Sequence, residues 1–293
     1  MLNDRNFDCA YGVAEQVSPL IRRVVARNPG PFTFLGTGTY IVGLGRVAVI
    51  DPGPDLDDHV AALLSALEGE TVSHILITHT HIDHSPAAAA LKRATGAPCL
   101  GFGPHGAVGE TGEAGADLAF RPDIRMADGD HVAGEGWSLT ALHTPGHASN
   151  HLCFALAEEQ ALFSGDQVMG WSTTVISPPD GDMAAYMESL DRLSARSEKI
   201  YWPTHGGPIR DPRAHVGELI AHRRARRAAI LEALSAGPAR PAEIVAKVYH
   251  GLDPRLVEAA AESVRAHLIE LAAAGLVAEE NGSWRRLQVG SGM

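Results

Sequence analysis

Residues 78–84 read Thr-His-Thr-His-Ile-Asp-His, directly after an isoleucine-rich apolar run. No other stretch constrains the fold as strongly. Four side chains able to ligate metal, His79, His81, Asp83 and His84, fall within six residues. A strand ending in a loop can present such groups together at its carboxyl edge, where open α/β sheets place their binding sites. Crowded imidazolium rings repel one another, and a divalent ion removes that cost by binding the neutral form. Imidazole suits zinc, iron or nickel, and an adjacent carboxylate extends the range to manganese.

Three later residues complete the pattern. His147 in Thr-Pro-Gly-His, Asp166 in Phe-Ser-Gly-Asp and His205 in Pro-Thr-His-Gly-Gly lie at strand exits beside Gly or Pro. Glycine there lets the backbone approach a site closely. Seven ligands suffice for two ions with room for water.

The surrounding chain alternates strand and helix patterns. Residues 38–50 read as two strands joined at Gly43–Gly45 and ended by Asp51-Pro52-Gly53-Pro54. Residues 56–67 carry helical spacing, 72–78 a strand, and 86–95 an Ala-rich helix opening at Pro86. Short strands follow at 137–142, 152–156 and 161–164, then an amphipathic helix over 182–194 and apolar Ile200-Tyr201. The alternation predicts an α/β layered fold.

Near residue 211 the composition shifts. Residues 211–293 carry 11 basic and 10 acidic residues, leaving 13 and 25 for residues 1–210. The net charge of −11 therefore belongs to the first part, which disfavours non-specific adhesion to nucleic acid. A helix is expected over 213–235, helices over 240–250 and 256–274, and a hairpin turning at Asn281-Gly282. A length of 293 residues supports about two domains. The division expected is 1–212 catalytic, 213–235 a linking helix and 236–293 a small helical domain. Three widely spaced cysteines argue against a disulfide framework. With no apolar leader and no span of ~18 apolar residues, a cytoplasmic protein without membrane association is expected.

The set His79-x-His81-x-Asp83-His84, His147, Asp166 and His205 resembles the metallo-β-lactamase superfamily in its glyoxalase II-like binuclear form, over roughly residues 18–210. Asn28-Pro29-Gly30-Pro31, Gly36-Thr37-Gly38-Thr39-Tyr40 and Ser177-Pro178-Pro179-Asp180-Gly181-Asp182 look like the beta-lactamase-like protein 2 branch. That resemblance implies an αβ/βα four-layer sandwich followed by a small winged-helix-like domain. It implies that His79, His81 and His147 hold one metal, that Asp83, His84 and His205 hold the second, and that Asp166 bridges them. Asp51 matches a structural aspartate that orients a ligand imidazole from behind.

Two divalent transition metals are expected, zinc first, with iron or manganese as alternatives. One zinc already lowers the pKa of its water to about 7. A metal-bridged hydroxide would thus attack an ester, thioester, lactone or related small-molecule bond, with Asp83 orienting it or shuttling its proton. Ser164 is expected to be structural. The alternatives are a metal-dependent endonuclease on single-stranded RNA, and a winged-helix nucleic-acid-binding regulator with a vestigial lactamase domain. For the RNA reading, Arg223, Arg224, Arg226 and Arg227 form either a phosphate-contacting patch or a solvated face. A homo-oligomer stays open. His151, and Trp171 to Thr174, are candidates to face the substrate; His59, His74, His105, His131 and His143 are expected at the surface or in packing.

Overall fold

The computed structural model describes residues 4–106 and 115–288. The outermost residues of both expected domains, 1–3 and 289–293, lie outside the described residues. The first sheet holds β1 (Glu15–Ser18), β2 (Ile21–Val25), β3 (Gly38–Val42), β4 (Arg46–Ile50), β5 (Thr71–Leu76), β6 (Cys99–Gly101) and β7 (Ile124–Arg125), paired in that order. Pairing is antiparallel from β1 to β4 and parallel from β4 to β7. The parallel part needs crossovers, and α1 (Asp57–Ala66) and α2 (Ala88–Thr95) supply two of them. The second sheet holds β8 (His131–Gly134), β9 (Trp137–His143), β10 (Leu152–Leu156), β11 (Ala161–Gly165) and β12 (Ile200–Pro203), in the order β12-β11-β10-β9-β8. The helix α3 (Met183–Ser194) crosses from β11 to its parallel neighbour β12.

Strands buried on both faces divide their side chains between two cores. On β3, Tyr40 and Val42 join Ile50, Leu76, Trp137, Leu139, Phe154 and Phe163 in the core between the sheets. Ile41, one residue out of phase, packs outward with Val49, Ile75, Leu63 of α1 and Leu91 of α2. On the far side, Leu142, Cys153, Leu162 and Tyr201 meet Tyr186, Leu190 and Leu193 of α3 and Val216 and Leu219 of α4 (Pro212–Ala233). The result is the expected αβ/βα order of four layers.

A third unit follows. The helices α5 (Pro241–Val248) and α6 (Val257–Ala273) precede the hairpin β13 (Val277–Glu280) and β14 (Ser283–Arg286). Asn281 and Gly282 turn it with φ of 51° and 77°, the positive pair a two-residue type I′ turn needs. Ile244, Val264, Leu268, Val277 and Trp284 form its core with Ile230 from the end of α4. Thus α4 serves both units: Val216 and Leu219 pack under the second sheet, Ile230 under the hairpin. Asp211 caps it, accepting from the Ala214 N–H at 3.2 Å, with Pro212 in the first turn. Asp182 does the same for α3, at 2.9 Å.

The strands β1, β2 and β6 to β8 were not expected. β2 reads Ile-Arg-Arg-Val-Val, and its Arg23 is buried against Phe7 while pairing with Glu15 at 2.8 Å, so charge sits where the strand pattern wants apolar residues. β6 and β7 are too short to show any period. The second helix begins at Ala88 rather than Pro86. No helix among the described residues is long and apolar enough to cross a membrane.

Candidate metal centre

Five strand exits converge at one end of the two sheets. β4 delivers Asp51, β5 the segment with His79, His81, Asp83 and His84, β9 the link with His147, β11 Asp166, and β12 His205. Leu152 N–H donates to the Thr78 carbonyl at 2.7 Å, and Gly38 N–H to the Thr204 carbonyl at 2.8 Å, so backbone bonds bind the exits across the sheets.

All seven sequence-predicted ligands come together. His79 Nε2 lies 3.0 Å from His81 Nδ1, and His147 Nε2 lies 3.1 Å from the same atom. His205 Nε2 lies 3.1 Å from Asp83 Oδ2, and His84 Nε2 lies 3.6 Å from Asp83 Oδ1. Asp166 sits between the two sets. Its Oδ2 is 3.7 Å from His147 Nε2 and 3.6 Å from His84 Nε2, while Oδ1 is 3.5 Å from His205 Nε2. Donor atoms of His79, His81 and His147 fall within 4.8 Å of one another, as do those of Asp83, His84 and His205, and those of His79, His84 and Asp166.

Outer contacts fix how the rings point. His84 Nδ1 is 2.9 Å from Asp51 Oδ2, His147 Nδ1 2.8 Å from the Val175 carbonyl, and His205 Nδ1 3.1 Å from the Gly36 carbonyl. Each of these Nδ1 atoms therefore donates outward, which turns Nε2 towards the centre. His84 Nε2 and Asp166 Oδ1 are fully buried with no hydrogen-bond partner among the described residues. Buried polar atoms without partners are costly, and a divalent cation satisfies both. Nitrogen donors with carboxylates suit transition metals. The residues present fit the metal pair.

Electrostatics divides the site. Burial, reinforced by neighbouring imidazoles, holds His79 well below the ordinary histidine range, and burial with His81 pushes His147 down to about 4. At the other end burial opposes charge, yet Asp83, Asp166 and Asp51 together raise His84 well above its usual value; His205 is raised by Asp166 and Asp83. Burial would raise the carboxyls of Asp83 and Asp166, but His84 and His205 override it and hold both below the usual range. Cation binding at that end displaces protons from His84 and His205. The approach lies on the side of His81, Asp83 and His147, which reach solvent, whereas His79, His84 and His205 are sealed in.

Asp51 accepts from the Thr78 N–H at 2.8 Å, the Thr78 hydroxyl at 2.7 Å, the Thr204 hydroxyl at 3.2 Å and His84. It joins the β4, β5 and β12 exits, a wider role than orienting one ring. Thr78 and Thr204 were missed in the sequence; the available signal was a Thr preceding a ligand His in both segments. His151 does not face substrate. It is buried, stacks on His79 with centroids 5.1 Å apart, and its Nε2 accepts from the Asp166 N–H at 3.2 Å. Trp171 is buried and stacks on Phe34 at 4.9 Å, while the Thr174 hydroxyl donates to the Asp166 carbonyl at 2.6 Å. Ser164 donates to the Val168 carbonyl at 2.8 Å, a structural role. His59 and His105 are buried beside the Thr39 and Thr80 hydroxyls, each at 3.0 Å, and His143 stacks on Phe102.

Three of the four arginines in the α4 run are engaged by the protein itself. Arg223 is buried and donates to the Thr174 carbonyl. Arg226 donates to the Val248 carbonyl at 2.7 Å and covers the Tyr249 ring. Arg227 forks onto Glu270 at 2.9–3.2 Å. Arg224 alone is largely exposed, 3.9 Å from Asp191. Helical spacing cannot distinguish an arginine facing water from one facing a protein carbonyl.

Residues 33–205 match the Metallo-beta-lactamase superfamily, and residues 241–284 the Beta-lactamase associated winged helix domain. A lactamase-like protein, adaB, from Aspergillus niger is 34% identical over 237 residues, covering 77% of this chain and 67% of that one. An atrochrysone carboxyl ACP thioesterase from Passalora fulva is 31% identical over 247 residues, covering 80% and 69%. The chain spans about two thirds of the length of the curated relatives it matches. A metallo-beta-lactamase family protein of Thermus thermophilus shares the fold with a TM-score of 0.78 at 25% identity, over 93% of this chain and 100% of that one. A beta-lactamase domain protein from Burkholderia ambifaria gives 0.80 at 23% identity, over 97% and 96%. With the superfamily match spanning more than half its length, the chain belongs to the metallo-β-lactamase superfamily and carries an associated winged-helix domain.

Proposed function

We propose that the protein hydrolyses a thioester of a small carboxylic acid at a centre of two divalent metals, zinc by preference. His79, His81 and His147 would hold one ion, Asp83, His84 and His205 the other, and Asp166 would contact both. One observation carries the reading: the two Asp166 oxygens lie between the two imidazole sets, 3.5 to 3.7 Å from His147, His84 and His205. When bound, the ions supply Lewis-acid polarisation of a carbonyl and activation of water at neutral pH.

The chain's own residues do the rest. His81, Asp83 and His147 line the accessible side, where the acyl carbon meets water. Asp83, with Oδ2 3.1 Å from His205 Nε2 and Oδ1 3.6 Å from His84 Nε2, would orient that water and pass on its proton. Water adds to the carbonyl carbon, the C–S bond breaks, and the sulfur leaves as a thiolate that recovers a proton. Asp51 keeps His84 oriented throughout through the 2.9 Å bond. The choice of thioester over ester or lactone is supported by several relatives named atrochrysone carboxyl ACP thioesterases. A division into 1–212, a shared helix 213–235 and 236–293 goes with this reading.

The RNA reading gains no support from the arginine run, since three of its four members are already engaged. A panel of acyl thioesters, lactones, phosphodiesters and labelled single-stranded RNA, offered to metal-loaded protein, tests the proposal. Thioester turnover well above the other classes is expected; RNA cleavage without thioester turnover would refute it.

A further inference from the structure

We infer that the winged-helix unit braces the metal centre, with Arg223 of α4 and Ser263 of α6 acting as positioning residues for His147 and Asp166. The inference rests on the reading of those two as metal ligands.

The brace runs through three consecutive residues. Towards the centre, the Thr174 hydroxyl donates to the Asp166 carbonyl at 2.6 Å, and the Val175 carbonyl accepts from His147 Nδ1 at 2.8 Å. Away from it, the Thr174 carbonyl accepts from Arg223, and the Ile176 N–H donates to Ser263 Oγ at 3.4 Å. The strip is thus pinned on one side by the two ligands and on the other by α4, which both units share, and by α6 of the winged-helix unit. Thr174 and Ile176 are buried, so no water replaces these partners.

A second path starts from the same arginine. The Arg223 guanidinium lies 5.2 Å from the centre of the Tyr186 ring. The Tyr186 hydroxyl donates to the Gln167 carbonyl at 3.2 Å, next to Asp166. Its backbone packs so tightly on Gly146, next to His147, that a Cβ there would come within 2.3 Å of the Tyr186 Cα. Both paths end on the same two ligands. A buried guanidinium is costly to desolvate, and an apolar side chain of like volume would pack as well. Arg223 Nε has no partner among the described residues to offset that cost. Packing alone does not explain its presence; the aimed donor to Thr174 does. The other ligand set is held differently: Asp51 orients His84 and the Gly36 carbonyl orients His205, both from within the catalytic unit.

The test is stepwise zinc binding to the full chain by chelator competition, with visible absorption of the Co2+-substituted protein as a second readout. The wild-type chain is compared with Arg223→Met, Arg223→Lys and Ser263→Ala. His147→Ala identifies the step that belongs to the His147 site. Arg223→Met is expected to weaken that step ~10- to 100-fold, the range for loss of a group that orients a metal ligand. The other step should change much less, and the Co2+ spectrum should shift. Arg223→Lys, which keeps a cationic donor, should recover most of the affinity. If Arg223→Met fails to fold, Ser263→Ala carries the test, weakening the His147 step selectively. Equal weakening of both steps, unchanged affinities, or selective weakening of the other step would overturn the brace. If the wild-type chain binds no zinc, the ligand reading itself fails, a result distinct from a brace failing in a chain that binds two ions.

Discussion

The catalytic unit and the winged-helix unit bury their polar groups in different places. In the first, buried polarity gathers at the strand exits, where Asp51 alone accepts from Thr78, Thr204 and His84. In the second, the core of Ile244, Val264, Leu268, Val277 and Trp284 is apolar, and the buried polar groups lie along the border with the catalytic unit. Arg223, Ser263 and His267 are all there, and burial with Arg223 nearby pushes His267 down to about 3. One unit is built around its chemistry, and the other concentrates its polarity in its attachment.

The largest effect should come from Asp166→Asn. A neutral amide bridges two cations poorly, so loss of at least one metal and a rate decrease of about 100-fold or more is expected. Metal analysis and steady-state rates check it, and full activity with two ions retained would deny the carboxylate its central place. Asp51→Asn should follow, lowering metal affinity ~10- to 100-fold at the His84 site that it orients directly, and less at the His147 site. An equal loss at both sites would mean that Asp51 acts as a general strut.

Changes in the C-terminal unit should act on stability instead. Leu268→Ala removes a fully buried side chain and should cost about 2–5 kcal/mol, read by denaturant melts. Well below its melting temperature the variant should still bind two ions. Failure to do so would make the two units a single cooperative body. Smallest of all, Arg224→Ala should leave stability within about 0.5 kcal/mol, because its ion pair is long and solvated. A large loss there would return the arginine run to a functional surface role.

The sequence made the centre legible for a physical reason. Ligands at strand exits are adjacent in the chain or flanked by Gly and Pro, so their pattern survives in one dimension, and all seven converge as expected. The layers followed from strand and helix alternation, with short or charge-bearing strands such as β2 and β7 escaping notice. The groups that support the ligands were not legible. Thr78, Thr204 and His151 act through hydrogen bonds that no spacing records, and Arg223 reads as one more surface arginine until the fold sets it against Thr174.

The most direct measurement is the metal content of the purified full chain after loading and gentle desalting, by elemental analysis against protein concentration. The account predicts close to two transition-metal ions per chain, falling to one or fewer in Asp166→Asn. A content that stays near zero despite added zinc, manganese and iron would contradict it.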